Sequence, residues 1–409
     1  MKQMKRILAL LTALTLSVGM LSGCGQKETT ALEGEGAQTE VEVESVDLKA
    51  ITDIFDYAAG IPADTVVGKV GEYDITAGSL LYWLNYNIEY MMNAAGTTTI
   101  PWDSENPDGT TVGDNMLTSA MEMAAYYRLV PELAKEQGVS VDEAITTELD
   151  GYMDELRDVM GQNEDLVKYY LWMSLLTQEE FYRVYENGNL ELQLEEKFYG
   201  EGTEGYPTDA EVLAFAEETM GCYRAKHILL LTRDMEAEPV LGEDGSYSFP
   251  ALEPSVVAEK KALAEEIKAK LDSAADPVAL FDELMQEYSE DSGLAANPDG
   301  YTTYKGQMVS EFENTALALK DGEISDIVES MYGYHIILRL PLDPADYRED
   351  LVSRRMGERS QKWVDEQGIT TNEVYDTIDV GAFRAKVEAL QEALWSEMEP
   401  VLTAESEQG

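Results

Sequence analysis

Only two imidazoles occur in this 409-residue chain, His227 and His335. Any proton transfer or hydrogen-bond polarisation near neutral pH would have to be built around them. His227 lies in Arg-Ala-Lys-His-Ile-Leu-Leu and His335 in Tyr-Gly-Tyr-His-Ile-Ile-Leu. Both are short apolar runs, rich in Ile and Leu and bounded by turn or polar residues, which is the pattern of a strand. One histidine at the mouth of each of two similar strands points to a shared site. In a hydrogen-bonded imidazole pair one ring donates and the other accepts, so such a pair can fix a site's geometry and tautomers. The thiols are Cys24 and Cys222. A nucleophilic pair of Cys222 with His227 is disfavoured, because five residues along a strand span about 16 Å and end on opposite faces. Cys222 reads instead as a small packing residue.

The elements that must position the histidines follow from periodicity. The first strand places Ala225, His227, Leu229 and Leu231 on one face. Residues from Arg233 to Pro254 form a polar, acidic loop with Pro, Gly and Asp-Gly turn signals. Ser255 can cap a helix with Leu263, Ile267 and Leu271 on one side, and Asp276-Pro277 starts another with Phe281, Leu284, Met285 and Tyr288 as its buried face. A third helix holds Val309, Phe312, Ala316 and Leu319 and ends at Gly322. Strands over Ile324 to Val328 and Tyr334 to Leu340 complete the set. Antiparallel strands covered by helices make this part α+β.

Five pieces of this stretch, in order, resemble the parvulin-type peptidyl-prolyl isomerases. They are Arg224-Ala225-Lys226-His227-Ile228-Leu229, Tyr288-Ser289-Glu290-Asp291, Gly306-Gln307-Met308-Val309 with Phe312, the run from Ala316 to Ser325, and Tyr332-Gly333-Tyr334-His335-Ile336-Ile337. The resemblance covers somewhat under a third of the chain. It implies a parvulin-like antiparallel sheet with covering helices and isomerisation of X-Pro bonds. Met308 and Phe312 would form the proline pocket, with Gln307 and Tyr304 beside it, and His227, Asp291 and His335 would be the catalytic group. Whether the histidines support the site or take part electrostatically stays open. Such a site breaks no bond: rotation meets an amide barrier of about 18–20 kcal/mol, lowered by excluding water, gripping the ring and binding the twisted amide best. No cofactor and no metal are expected. Two departures stand out: Thr303 falls where the family aligns an aromatic residue, and Tyr332 where some parvulins have a small polar residue near the second histidine. The long Arg233 to Pro254 connection also reads as an insertion.

The remaining chain sets the context. Residues 1–23 read as a signal peptide, with a basic start and an apolar core ending in Leu21-Ser22-Gly23-Cys24, which looks like a bacterial lipobox with Cys24 as the lipidation site. Removing those residues takes away three basic and no acidic ones, moving the net charge from −51 to −54. That disfavours nucleic acid, whose phosphates need basic surface. Residues 24–62 read as an acidic, flexible tether with an r.m.s. reach of about 30–35 Å, carrying a short helix near Leu48 to Ala58. Residues 63–216 are mostly helical. In this span Pro131 should kink or divide a helix over Met116 to Lys135, and Ser140 with Glu143, Thr177 with Glu180 and Thr208 with Glu211 read as capping boxes. The isomerase-like domain occupies 217–341, and 342–409 is a helical segment expected to pack on the N-terminal helical, chaperone-like domain.

This organisation is similar to the PrsA-type and SurA-type extracytoplasmic foldases. The resemblance implies a lipid-anchored protein on the outer face of the cell membrane of a Gram-positive-type bacterium. Its partners would be unfolded, proline-containing secreted chains and the membrane, through the lipid on Cys24, with a homodimer left open. A holdase with a catalytically weak parvulin domain is the rival reading. A lipid-anchored solute-binding protein is disfavoured, since it should show two lobes of alternating strands and helices.

Overall fold

The computed structural model describes residues 46–241 and 247–406. The signal segment, Cys24 and the tether before residue 46 lie outside the described residues. The chain divides into two compact units. One joins the described residues up to Tyr206 with those from Val352 onward, and the other is Pro207–Leu351.

The first unit is mostly helical. Its opening helix α1 is Ile54–Ala59, not Leu48 to Ala58, because Asp53 is the residue able to cap: its carboxylate accepts from the backbone N–H of Phe55 and Asp56. Strands β1 (Val66–Val70) and β2 (Tyr73–Thr76) form a hairpin. It is followed by helices α2 (Ala77–Ala95), α3 (Val112–Glu136), α4 (Glu143–Val159), α5 (Glu164–Trp172) and α6 (Gln178–Tyr199). The expected break at Pro131 does not occur, and α3 runs through it. A proline lacks the N–H that would satisfy the carbonyl four residues earlier. Here the side-chain amide of Asn187 on α6 donates to that carbonyl, Tyr127 O, at 3.2 Å in a buried position. The capping box at Thr177 forms as read, whereas α4 is capped by Asp142, nearer its start than Ser140.

The C-terminal segment completes this unit. The long helix α11 (Arg348–Gln367) leads into strand β9 (Ile369–Thr371), which pairs antiparallel with β1. Gly68 is required there, since a Cβ would lie 2.5 Å from Thr370 O. Helix α12 (Val380–Ser406) then buries Phe383, Val387, Leu390, Leu394 and Met398, a stripe at helical spacing, in the same core as Trp83 and Phe55.

The second unit is α+β. After α7 (Asp209–Ala214) comes β3 (Cys222–Leu231), then the acidic excursion, which holds a two-residue ladder of β4 (Val240–Leu241) with β5 (Tyr247–Ser248). Helices α8 (Pro254–Ser273) and α9 (Pro277–Tyr288), strand β6 (Tyr301–Tyr304), helix α10 (Ser310–Ala318) and strands β7 (Val328–Glu329) and β8 (Gly333–Leu340) follow. The sheet order is β6-β3-β8-β7, all antiparallel. The strand expected over Ile324 to Val328 is shorter, because Ile324 makes only an isolated bridge to Leu338.

Both faces of β3 are covered. Ile228 and Leu230 pack on Ile267, Phe281 and Leu284 of α8 and α9. On the opposite face Tyr223 and Ala225 pack on Phe312 and Ala316 of α10. Each large side chain enclosed this way contributes about 1.5–3 kcal/mol, so β3 and its partner β8 are the rigid spine of the unit. Cys222 is a free, buried thiol in an apolar cluster with Val212, Leu342 and Tyr347.

Candidate active site

The pairing of β3 with β8 brings the histidines together. His227 lies opposite Ile337, and Leu229 lies opposite His335. The two imidazoles are therefore diagonal neighbours on the α10 face, a separation that side chains of this length can close. Their Nδ1 atoms approach to 3.0 Å. Gly333 allows the turn before β8 to fold this tightly, since a Cβ there would sit 2.1 Å from Leu230 O. That turn presents Ser330, whose Oγ lies 2.7 Å from His335 Nε2 and accepts the Tyr332 N–H at 3.1 Å.

Asp291 arrives from the segment after α9. Strand β6 covers β3 only as far as Ala225, and beyond that point Ser289 and Glu290 take over the open edge. Leu229 N–H donates to Ser289 Oγ at 3.1 Å, Glu290 N–H to Leu229 O at 2.8 Å, and Leu231 N–H to Glu290 Oε2 at 2.8 Å. The Tyr-Ser-Glu-Asp run thus finishes an unpaired strand edge and delivers Asp291 to His227, with Oδ2 3.0 Å from Nε2. The same oxygen accepts the Tyr301 hydroxyl at 2.5 Å, and Oδ1 accepts the Gly293 N–H at 3.0 Å. Burial alone would raise this carboxyl's pKa. The bonds from His227, Tyr301 and Gly293 outweigh it and hold Asp291 well below the usual carboxylate range.

An ionised carboxylate only accepts, and this sets the direction of the chain. His227 donates from Nε2, which leaves its Nδ1 to accept in the neutral ring. His335 then donates from Nδ1 and accepts at Nε2 from the Ser330 hydroxyl. His335 is 2% exposed, and burial, reinforced by His227, pushes its pKa down to about 3, so it stays neutral. All four ring nitrogens are engaged inside the chain Ser330–His335–His227–Asp291.

Phe312 seats its ring on this pair, edge to face, with centroids 5.2 Å from His227 and 5.9 Å from His335. At 3% exposure it is a packed floor. Met308, only partly buried beside it, is the member of the expected pocket that a ligand can reach.

Other expected site residues fall elsewhere. Along β6 alternate residues face opposite sides, and Tyr304 pairs with Cys222 on the side away from the histidines. Tyr301 is the tyrosine on their side. Gln307 braces the turn after β6: its Oε1 accepts from Thr303 Oγ1 at 3.0 Å and from Tyr304 N–H at 3.4 Å. The small polar neighbour of His335 is Ser330, not the residue at Tyr332. Its signal was a serine at the start of the turn, hidden because only a turn, not a strand, carries it back to the ring.

Comparison with known proteins places these features. Residues 249–340 match the PPIC-type PPIASE domain family. The match begins near the end of the excursion, so His227 on β3 precedes it in sequence while β3 pairs with strands inside it. The chain is 45% identical over 83 residues to a foldase protein PrsA of Geobacillus kaustophilus, covering 20% of this chain and 28% of that one. It is 30% identical over 212 residues to a foldase protein PrsA of Oceanobacillus iheyensis, covering 49% and 66%. The alignments therefore span less than two thirds of these relatives. A crystal structure of PrsA from Bacillus subtilis is similar at 21% identity over 64% of this chain and 90% of that one, with a TM-score of 0.22. The chain thus carries a PPIC-type, parvulin peptidyl-prolyl isomerase domain and is a relative of the PrsA foldases.

Proposed function

We propose that this protein is an extracytoplasmic foldase that speeds cis-trans rotation about X-Pro bonds in unfolded secreted chains. The supporting observation is the directional chain from Ser330 to Asp291 beneath Phe312. Because its ring nitrogens are all engaged, the histidine pair acts as a frame: it holds Phe312, and Met308 above it, in a fixed place. A proline ring lodged against Met308 leaves water, and in this apolar setting the planar amide, whose resonance separates charge, loses more solvation than the twisted one, which lowers the barrier between the isomers. His227, His335 and Asp291 are positioning residues in this reading, and Met308 is the group that touches substrate. Uncatalysed, the rotation takes tens of seconds or more.

Lipid attachment at Cys24 would hold the body at the membrane. It is supported by the Leu-Ser-Gly-Cys run after an apolar segment, and two acyl chains suffice for durable anchoring. The helical unit, which exposes Tyr90, Leu192 and Trp395, would receive clients through such side chains. A holdase with weak catalysis is the second reading. Thr303 favours it: its hydroxyl is turned onto Gln307 where the parvulin pattern has an aromatic wall.

The test is exchange of a short X-Pro peptide followed by NMR, with the protein beside Met308→Ala and Phe312→Ala. Acceleration that falls at least tenfold in both folded variants supports the isomerase. No acceleration over a panel of residues before proline, from a protein that still suppresses client aggregation, supports the holdase.

A further inference from the structure

Met308, the residue that meets substrate in the reading above, belongs to no helix or strand. It lies in the connection between β6 and α10, so neither a sheet ladder nor a helix fixes its place. Val309, the residue before α10, makes no side-chain hydrogen bond that would cap the helix. Gly306 turns the chain at φ +88°, a conformation open to glycine at no steric cost.

Glu313, in the first turn of α10, holds both ends of this connection. Its backbone N–H donates to Val309 O at 3.0 Å, the first bond of the helix, and its side-chain Oε2 accepts the Gly306 N–H at 2.8 Å. Gln307 and Met308 are the two residues enclosed between these bonds. The carboxylate is itself anchored. The same Oε2 accepts the Tyr223 hydroxyl at 3.3 Å, and Tyr223 is fully buried on β3, with the Arg339 guanidinium 5.7 Å over its ring.

One carboxylate oxygen thus ties together β3, which carries His227, the connection that carries Met308, and α10, which carries Phe312. We infer that Glu313 is a positioning residue of the isomerase site, setting Met308 against Phe312 and the histidine pair. The inference rests on the isomerase reading above. A carboxylate suits the task because it accepts from both donors and does so about twice as strongly as a neutral oxygen. Position matters at such a site, where a displacement of about 1 Å can cost about a hundredfold in rate.

The test measures X-Pro peptide exchange and amide hydrogen exchange in the full chain, beside Glu313→Ala, Glu313→Gln and Glu311→Ala. At a temperature where all are folded, Glu313→Ala should lower kcat/KM about tenfold. It should also speed exchange of the Gly306 amide about tenfold while the amides of β8 keep their protection. Glu313→Gln keeps an acceptor oxygen and should restore the rate to within about threefold of the parent. Glu311→Ala removes the other acidic residue of the first turn and should change neither reading, which separates the clamp from the general effect of charge at a helix start. A folded Glu313→Ala protein as fast as an active parent would overturn the inference and leave the isomerase reading intact, and so would a Glu313→Gln protein as slow as Glu313→Ala. No acceleration by the parent would remove that reading, and the inference with it.

Discussion

Asp291 in the isomerase unit and Glu191 in the helical unit are both carboxylates that accept a tyrosine hydroxyl, yet their acidities move in opposite directions. Glu191 on α6 takes Tyr126 OH at 3.0 Å and Tyr127 OH at 2.7 Å. Burial, with the nearby Glu195 charge adding to it, pushes its pKa up, and the two phenols offset this only in part. Asp291 adds an imidazole and a backbone N–H to its one phenol, and that set wins over burial. The difference lies in the number and kind of donors. A carboxylate given enough donors can anchor a polar chain as a fixed charge, while one given two phenols is a packing element that tolerates its proton.

Four outcomes would sharpen or break this contrast. The largest is expected for Asp291→Ala. It removes the charge that orients His227 and leaves the Nε2 proton without its partner, at a cost of about 3 kcal/mol, read as a lower denaturant midpoint for Pro207–Leu351. A change below about 1 kcal/mol would mean that the carboxylate does not hold the chain. Next, Tyr301→Phe keeps the ring and removes one donor. It should cost about 1.5–2 kcal/mol and raise the Asp291 pKa toward the ordinary range, measured by carboxyl carbon shifts.

The acid limb follows from the same groups. Asp291 has a depressed folded pKa, so its stabilisation is present above the unfolded value and is lost as pH falls toward the folded one. His335 is held down to about 3, so the folded state binds fewer protons than the unfolded state between about 6.5 and 3. Both terms weaken the isomerase unit on acidification, and calorimetry should show its transition falling from pH 6.5 downward. Glu191 runs the other way: its pKa is raised, so its contribution is full below the unfolded value and declines as pH rises through the folded one. Glu191→Gln should therefore look more favourable, relative to the parent, at pH 8 than at pH 4, by about 1.4 kcal/mol for each pKa unit of elevation. A difference that instead becomes less favourable from pH 4 to pH 8 would place Glu191 in the same class as Asp291.

The contrast also marks what could be read before the fold was known. The two histidine strands and the apolar face of α9, Phe281, Leu284 and Met285, were legible because their periodicity reports burial directly. Asp291 was legible through its motif. Glu191 was not, since a glutamate in a helix as acidic as α6 reads as solvated surface. The side on which Tyr304 falls was not legible, since Tyr-Thr-Thr-Tyr is the same read in either direction and the phase of β6 is set only by its pairing with β3. Pro131 suggested a break because its rescue by Asn187 comes from another helix. Ser330 was not legible for a related reason, as a turn's conformation decides which residue meets the ring.

With only two histidines in the chain, nitrogen NMR of the imidazoles addresses the directional chain without ambiguity. The account predicts a proton on His227 Nε2 and on His335 Nδ1, with His335 still neutral at pH 5. A proton on His335 Nε2, or a charged His335 at pH 5, would contradict it.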